Sequence, residues 1–471
     1  MRQLLATTLL FSWGAHALAA PQSPTDPLRD TVRGAITWIG TQAVPVPDVE
    51  GAVLFPASEG TKQPPQSLVY GGTAGVLIFL ENAAAVLDSK EARELADRTA
   101  KGLRSQRHKD SREQVSWSKG SMMGTTGLYT GDAGVGQAFL VRHLLRNDAE
   151  ALATAVEIGD ALLARAREDG DTLAWDDQAD IIFGNAGTAL FLLELGVAAK
   201  AERFTTAARR AGHGLIGEAL LVPSSADPAQ KLPTWMFHMG SREVHMPNFS
   251  HGTAGVAYAL VRIGAATGDA KLLQAGKDGA QWMIENAVAE GEGLKWAARA
   301  GAQTYMGGWC HGPAGTGRLF LLLAAVTGEA RYREIAAKGA NYVVAYADQA
   351  AKKTADGKQP YVPPSLCCGV AGVVDFFCDL ARVTKDPAHV AFAKKAGDYL
   401  IEVAVADGAG RKWKNGQSVP GGPVAANSSG FNVDLMLGAA GEALALLRLI
   451  TLDREQDPVR SLPDRAVGAA K

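Results

Sequence analysis

Seven times along this chain a polar loop gives way to Gly-x-Ala-Gly and then to about a dozen largely apolar residues. The motifs span Gly72 to Gly75, Gly131 to Gly134, Gly184 to Gly187, Gly252 to Gly255, Gly312 to Gly315, Gly369 to Gly372 and Gly438 to Gly441, at spacings of 53 to 69 residues. Runs such as Val76-Leu77-Ile78-Phe79-Leu80 and Ala443-Leu444-Ala445-Leu446-Leu447 carry no polar face, which predicts buried helices. Between them lie segments with apolar residues at three and four spacing: Asp26 to Ala43, Ala151 to Ala166, Arg203 to Leu221, Lys271 to Val288, Arg331 to Ala345 and Val390 to Val405. These predict amphipathic outer helices, with Asp26 to Ala43 serving the first unit. Strand signals are few and short.

Repetition at this period calls for units that bury their faces against one another. The expected fold is all-α: an α/α toroid, or barrel, of seven inner and seven outer helices. All inner helices would start at one end of the ring, so the residues just before each motif converge on one face. The first glycine of the step is expected to take a positive φ where loop becomes helix, and the second to let crowded helix entrances approach. Long loops at Ser105 to Thr130, Val222 to Ser250 and Ala406 to Val433 are candidates to wall a cleft on that face.

Charge adds an exclusion. Lysines and arginines nearly balance acids at a formal −2 without basic or acidic blocks, which argues against nucleic acid and anionic membrane surfaces. Met1-Arg2-Gln3, an apolar run to Trp13 and Ala17-Leu18-Ala19 have the parts of a signal peptide cut after Ala19. Residues 1–19 would then be the leader and 20–471 a single domain, exported to the periplasm or secreted. No other apolar run reaches the roughly 18 residues that a membrane span requires.

Export makes the cysteines informative, because oxidising compartments favour disulfides. Three of the four, Cys310, Cys367 and Cys368, sit one or two residues before motif glycines, whereas Cys378 lies inside an apolar run and reads as core. Three thiolates suit a zinc ion with its fourth tetrahedral position open for substrate. A disulfide from Cys310 to Cys367 or Cys368, or inert buried thiols, are the competing readings. His251 occupies the fourth entrance and is the candidate acid; a hydrogen-bonded structural histidine is the alternative. Asp180 stands four residues before Gly184, as either a catalytic carboxylate or a helix-terminus acid favoured by the dipole. His311 adjoins Cys310, while His238 and His245 in a long loop read as surface residues.

Gly-Trp-Cys-His-Gly at 308 to 312, Cys-Cys-Gly at 367 to 369, Ser-His-Gly at 250 to 252 and Asp-Ile-Ile-Phe-Gly at 180 to 184, in this order on the sevenfold frame, resemble the lanthionine synthetase C family. The resemblance covers essentially all of the chain after the leader. It implies an α/α toroid with zinc at its mouth, and Cys310, Cys367 and Cys368 as ligands, with cysteine where the family usually has histidine. Such three-cysteine sites are similar to cyclases associated with relaxed substrate choice. It further implies that His251 and Asp180 are the catalytic histidine and aspartate. Met306 stands where many bacterial cyclases carry arginine, and His311 is similar to the eukaryotic relatives associated with glutathione.

The implied reaction is addition of a cysteine or small-molecule thiol to dehydroalanine or dehydrobutyrine, forming a thioether. Zinc would ionise the thiol, His251 would protonate the enolate, and Asp180 would position His251 or accept the thiol proton. The partners implied are a peptide or small thiol, with a separate dehydratase as the source of the alkene. Two other classes compete: an exported α/α-barrel glycosidase or lyase, for which Asp180 and Asp434 are the only carboxylate pair to nominate, and a non-catalytic zinc-stabilised peptide-binding scaffold.

Overall fold

A computed structural model describes residues 26–110, 112–118, 125–239, 242–351, 363–415 and 430–465; the leader lies outside the described residues. In chain order its helices are α1 (Pro27–Thr41), α2 (Thr73–Leu87), α3 (Lys90–Arg104), α4 (Asp132–Arg146), α5 (Ala149–Arg165), α6 (Asn185–Ala199), α7 (Glu202–Gly217), α8 (Thr253–Thr267), α9 (Ala270–Glu285), α10 (Pro313–Thr327), α11 (Ala330–Ala351), α12 (Val370–Thr384), α13 (Pro387–Glu402) and α14 (Ala439–Ile450). The seven even-numbered helices are the apolar runs. Each packs on the next, and α14 returns to α2, closing the inner ring. Their buried residues point in every direction: Phe79, Leu190 and Leu321 are fully enclosed, each stabilising the fold by roughly 2 kcal/mol relative to exposure.

Each of the inner helices α2 to α12 packs against the outer helix that follows it, so the hairpin runs inner to outer. This corrects the expected pairing at the chain's start. α1 packs chiefly on α14 rather than α2, so the first helix covers the last unit and closes the ring. Side chains of Asp26, Ser89, Asp148, Asp269 and Asp386 cap outer helices at their N-termini, which stops orphan N–H groups from fraying the first turn.

Predicted helices ending at Leu221, Val288 and Val405 run too far. Leu220–Pro223, Val288–Glu290 and Val405–Asp407 are strands of short antiparallel hairpins. Beyond these three hairpins and a fourth, Arg167–Asp169 with Thr172–Ala174, a buried tryptophan donates its indole N–H to a carbonyl near the end of the preceding outer helix: Trp175 to Leu162, Trp235 to Leu215, Trp296 to Met283 and Trp413 to Leu400, all at 2.7 to 2.8 Å. Helix ends carry unpaired carbonyls, and here an aromatic core residue satisfies one.

The motif glycines do not take positive φ. Each first glycine is an extended N-cap, from φ −104° at Gly184 to −150° at Gly72. Space is the physical reason for glycine: a Cβ on Gly252 would lie 1.9 Å from the Met246 carbonyl, and one on Gly315 1.9 Å from that of Trp309. The lead-in loop therefore folds flat against the helix start. Residues two before the first glycines lie on a circle that backbone hydrogen bonds stitch in two arcs, Tyr70 N to Tyr129 O and Tyr129 N to Ile182 O in one, and Ser250 N to Cys310 O, Cys310 N to Cys367 O and Cys367 N to Met436 O in the other, at 2.8 to 3.1 Å. This stitched circle forms the floor of one mouth.

Candidate metal and catalytic site

Cys310 and Cys367 hold the same position in adjacent units, and their backbones are bonded to each other, so their side chains rise from neighbouring points of the circle. Cys368 follows Cys367 directly. Its Sγ lies 2.9 Å from that of Cys310 and 3.2 Å from that of Cys367, and all three sulfurs fall within 4.8 Å of one another. No disulfide joins the four cysteines. Three converging thiols from two units are a donor set suited to a soft or borderline divalent cation. Gly308 makes the approach possible, since a Cβ there would sit 2.7 Å from the Cys368 carbonyl carbon.

Tyr70 enters from the first unit, at the same position as the two cysteines, and its hydroxyl donates to Cys367 Sγ at 3.4 Å. Hydrogen bonds from Cys310 and Cys368, with Tyr70 adding to them, hold the Cys367 thiol well below its usual range. Cys310, bonded to the other two sulfurs and buried, is pushed up in turn. Cys378 is fully enclosed in α12 and burial raises its thiol to about 12, as suits a core residue.

His251 and Asp180 meet, with Nδ1 2.6 Å from Oδ2. Local geometry explains the placement of both. Asp180 and Asn248 each stand four residues before a first glycine and accept the N–H of the residue three further on, Phe183 at 3.0 Å and His251 at 2.9 Å. Asp180 therefore spends one oxygen on its own turn and the other on His251. It serves both readings, turn acid and partner of the histidine. The imidazole stacks on Phe183 at 5.3 Å and meets Phe237 at 4.4 Å, between ring centroids. His311 lies edge-on to it at 5.9 Å, with Nδ1 3.4 Å from Ser250 Oγ; desolvation first, and then His251, push the His311 pKa down to about 4. The histidine pair thus links the sulfur cluster to Asp180.

Phe237 belongs to a hairpin of Met236–Met239 and Arg242–His245, strapped to the third unit by two bonds between Gln178 and the His238 backbone. This is the expected wall from the Val222 to Ser250 loop. Parts of the other two long loops, at 119–124 and 416–429, lie outside the described residues. His238 and His245 are both partly buried; the His245 ring stacks on Trp282 at 4.9 Å, its Nε2 bonds Thr234, and burial lowers its pKa.

Asp434 is 1% exposed and its Oδ1 caps the Met436 and Leu437 N–H groups, so it presents no carboxylate to a cleft. Asp176 is an addition. It is half-buried beside Asp180, accepts from Thr126 at 3.4 Å, and desolvation raises its pKa to about 7. Sequence reading passed over Tyr70, Phe237 and Asp176 as site members. Only Tyr70 carried a usable signal, the position it shares with Cys310 and Cys367.

Helices in a closed double ring, with a thiol cluster and a His-Asp pair at one mouth, define a toroidal protein with a candidate metal centre. The chain belongs to the lanthionine synthetase C-like family, whose model matches residues 64–462. Among solved structures it is similar to nisin cyclase, at 15% identity and a TM-score of 0.55, covering 84% of this chain and 91% of that one. A glycoside hydrolase family 76 mannosidase from Bacteroides thetaiotaomicron VPI-5482 is similar at 12% identity and a TM-score of 0.48, over 91% and 100% of the two chains. No curated protein matches the sequence. Among the described residues no helix is long and apolar enough to cross a membrane.

Proposed function

We propose that this protein adds a thiol across the double bond of a dehydroalanine or dehydrobutyrine, forming a thioether, with a zinc ion held by Cys310, Cys367 and Cys368. The observation that carries the reading is the convergence of three sulfurs within 4.8 Å, on the same mouth as the His251–Asp180 pair. Zinc, when bound there, would supply a Lewis acid that ionises an incoming thiol at neutral pH.

Asp180 accepts a hydrogen bond from His251 Nδ1–H, which orients the ring and leaves Nε2 for the chemistry. Nε2 takes the thiol proton. A C–S bond then forms at the β-carbon, the π pair moves toward the α-carbon as an enolate, and Nε2 returns the proton there, so atoms and charge balance. Because both oxygens of Asp180 are engaged, its role is orientation rather than proton acceptance. Phe183 and Phe237 keep water from the imidazole. The signal-like leader supports an exported site of action, where a bound cation would also protect the thiols from oxidation.

The test is metal analysis of the purified protein together with incubation of a dehydroalanine peptide and a thiol. About one zinc per chain and a mass gain equal to the thiol support the reading. Zinc and retained peptide affinity without product would leave the scaffold reading instead. No metal, with activity indifferent to chelation, would remove the proposal.

A further inference from the structure

We propose that the C-terminal tail is a positioning element for the thiol floor, acting through Asp464; this rests on the metal-centre reading above. After α14 the chain does not leave the ring but runs into its middle. The α2 residue Asn82 bonds both the carbonyl and the N–H of Arg460, at 2.5 and 2.7 Å. Gln137 of α4 donates to Ser461 O at 2.8 Å, and Tyr258 of α8 donates to the carbonyls of Pro463 and Arg465 at 3.1 and 2.7 Å. Arg318 of α10 donates to Asp464 O at 3.3 Å. Four inner helices thus grip the tail from their buried faces.

Asp464 itself is 4% exposed, and a single oxygen, Oδ2, accepts from Tyr129 OH at 2.9 Å and Trp309 Nε1 at 3.0 Å. Arg318, 3.5 Å away, balances its charge. The two donors belong to opposite sides of the floor. Trp309 immediately precedes Cys310, so a shift of its indole is carried to the cysteine within one Cα step of about 3.8 Å. The Tyr129 carbonyl accepts from Tyr70 N, and Tyr70 in turn donates to Cys367 Sγ. The Tyr129 and Trp309 rings pack against each other 5.2 Å apart. One buried carboxylate oxygen therefore fixes the heights of Cys310 and of the phenol that bonds Cys367. Removing either donor frees one side of the floor to move without unpairing the charge of Asp464 from Arg318.

The experiment uses full-length Trp309→Phe and Tyr129→Phe, each of which deletes one donor while keeping a buried ring, with Asp464→Asn as the conservative variant that keeps both acceptor bonds. Each is loaded with cobalt(II), and its thiolate-to-cobalt absorption and affinity against a competing chelator are recorded. The expected result is about tenfold weaker binding and a shifted charge-transfer band in the two donor deletions, with Asp464→Asn close to wild type. Folded donor deletions, by circular dichroism, with wild-type spectra and affinities would overturn the inference. If wild type itself gives no thiolate-to-cobalt band, the metal reading fails separately. Alkylation rates of the three thiols then decide: altered rates in the donor deletions sustain the positioning role of Asp464, and unchanged rates overturn it.

Discussion

The 2.6 Å contact between His251 Nδ1 and Asp180 Oδ2 decides which nitrogen of the imidazole is engaged by the protein. A carboxylate only accepts, so the proton sits on Nδ1, and Nε2 is the atom to which the proposed reaction assigns the proton transfers. Asp180→Asn keeps the turn bond to Phe183 N but offers an amide where an acceptor is needed, which favours the opposite tautomer. We expect the thiol-addition rate to fall at least about 100-fold with little change in melting temperature. Steady-state kinetics and a thermal melt on one preparation check this, and a fall in stability matching the loss of rate would contradict it.

Tyr70 supports the sulfur cluster from outside it. Tyr70→Phe deletes the hydroxyl that bonds Cys367 while leaving the ring. Loss of such a supporting bond should weaken cation binding about tenfold. Chelator competition reads this directly, and unchanged affinity would mean that the 3.4 Å contact carries no weight.

Gly308 holds the fifth and sixth units together at the cluster. Gly308→Ala places a methyl against the Cys368 backbone, which cannot withdraw as a flexible side chain would. We expect a loss of about 1 to 3 kcal/mol in urea unfolding, with weakened cation binding. Gly217→Ala is the control: nothing lies within 4 Å of its Cβ, and it should be neutral or slightly stabilising.

Glu442, in the first turn of α14, is 1% exposed, and among the described residues no other residue hydrogen-bonds its carboxylate oxygens. Burial raises its pKa from the ordinary 4.5 to about 8. A folded-state pKa above the unfolded one means stability that is full below about pH 4.5 and is lost progressively as pH rises toward 8, because only the unfolded chain ionises freely in that window. Glu442→Gln cannot ionise. Its stability relative to wild type should therefore grow between pH 5 and pH 8, by on the order of a few kcal/mol. Urea midpoints at the two pH values measure this, and parallel midpoints would show that the carboxylate is solvated.

Much of the ring was legible because its signals are local. Sevenfold Gly-x-Ala-Gly, apolar runs without a polar face and three-four spacing are properties of short segments, and all seven inner helices lie where those runs lie. The same holds for the cysteines: a motif that fixes each helix start also fixes the height of the residues just before it, so Cys310 and Cys367 were bound to rise at one level. Positions that depend on distant chain leave no such local signal. Sequence order places α1 with the unit beside it, but ring closure brings it against α14. The hairpins after the outer helices were read as helix because their first residues continue the apolar spacing.

By itself the sequence determined the sevenfold repeat, the burial of the inner helices and the presence of three thiols, a histidine and an aspartate at motif entrances. Tertiary structure alone decided that Tyr70 and Phe237 join them, that Asp180 turns its second oxygen to His251, and that Asp464 comes up beneath Trp309 from 155 residues away. The reason is the reach of the forces involved. Periodicity and capping act over a few residues and are written along the chain, whereas a contact between remote side chains exists only once a closed ring fixes their distance.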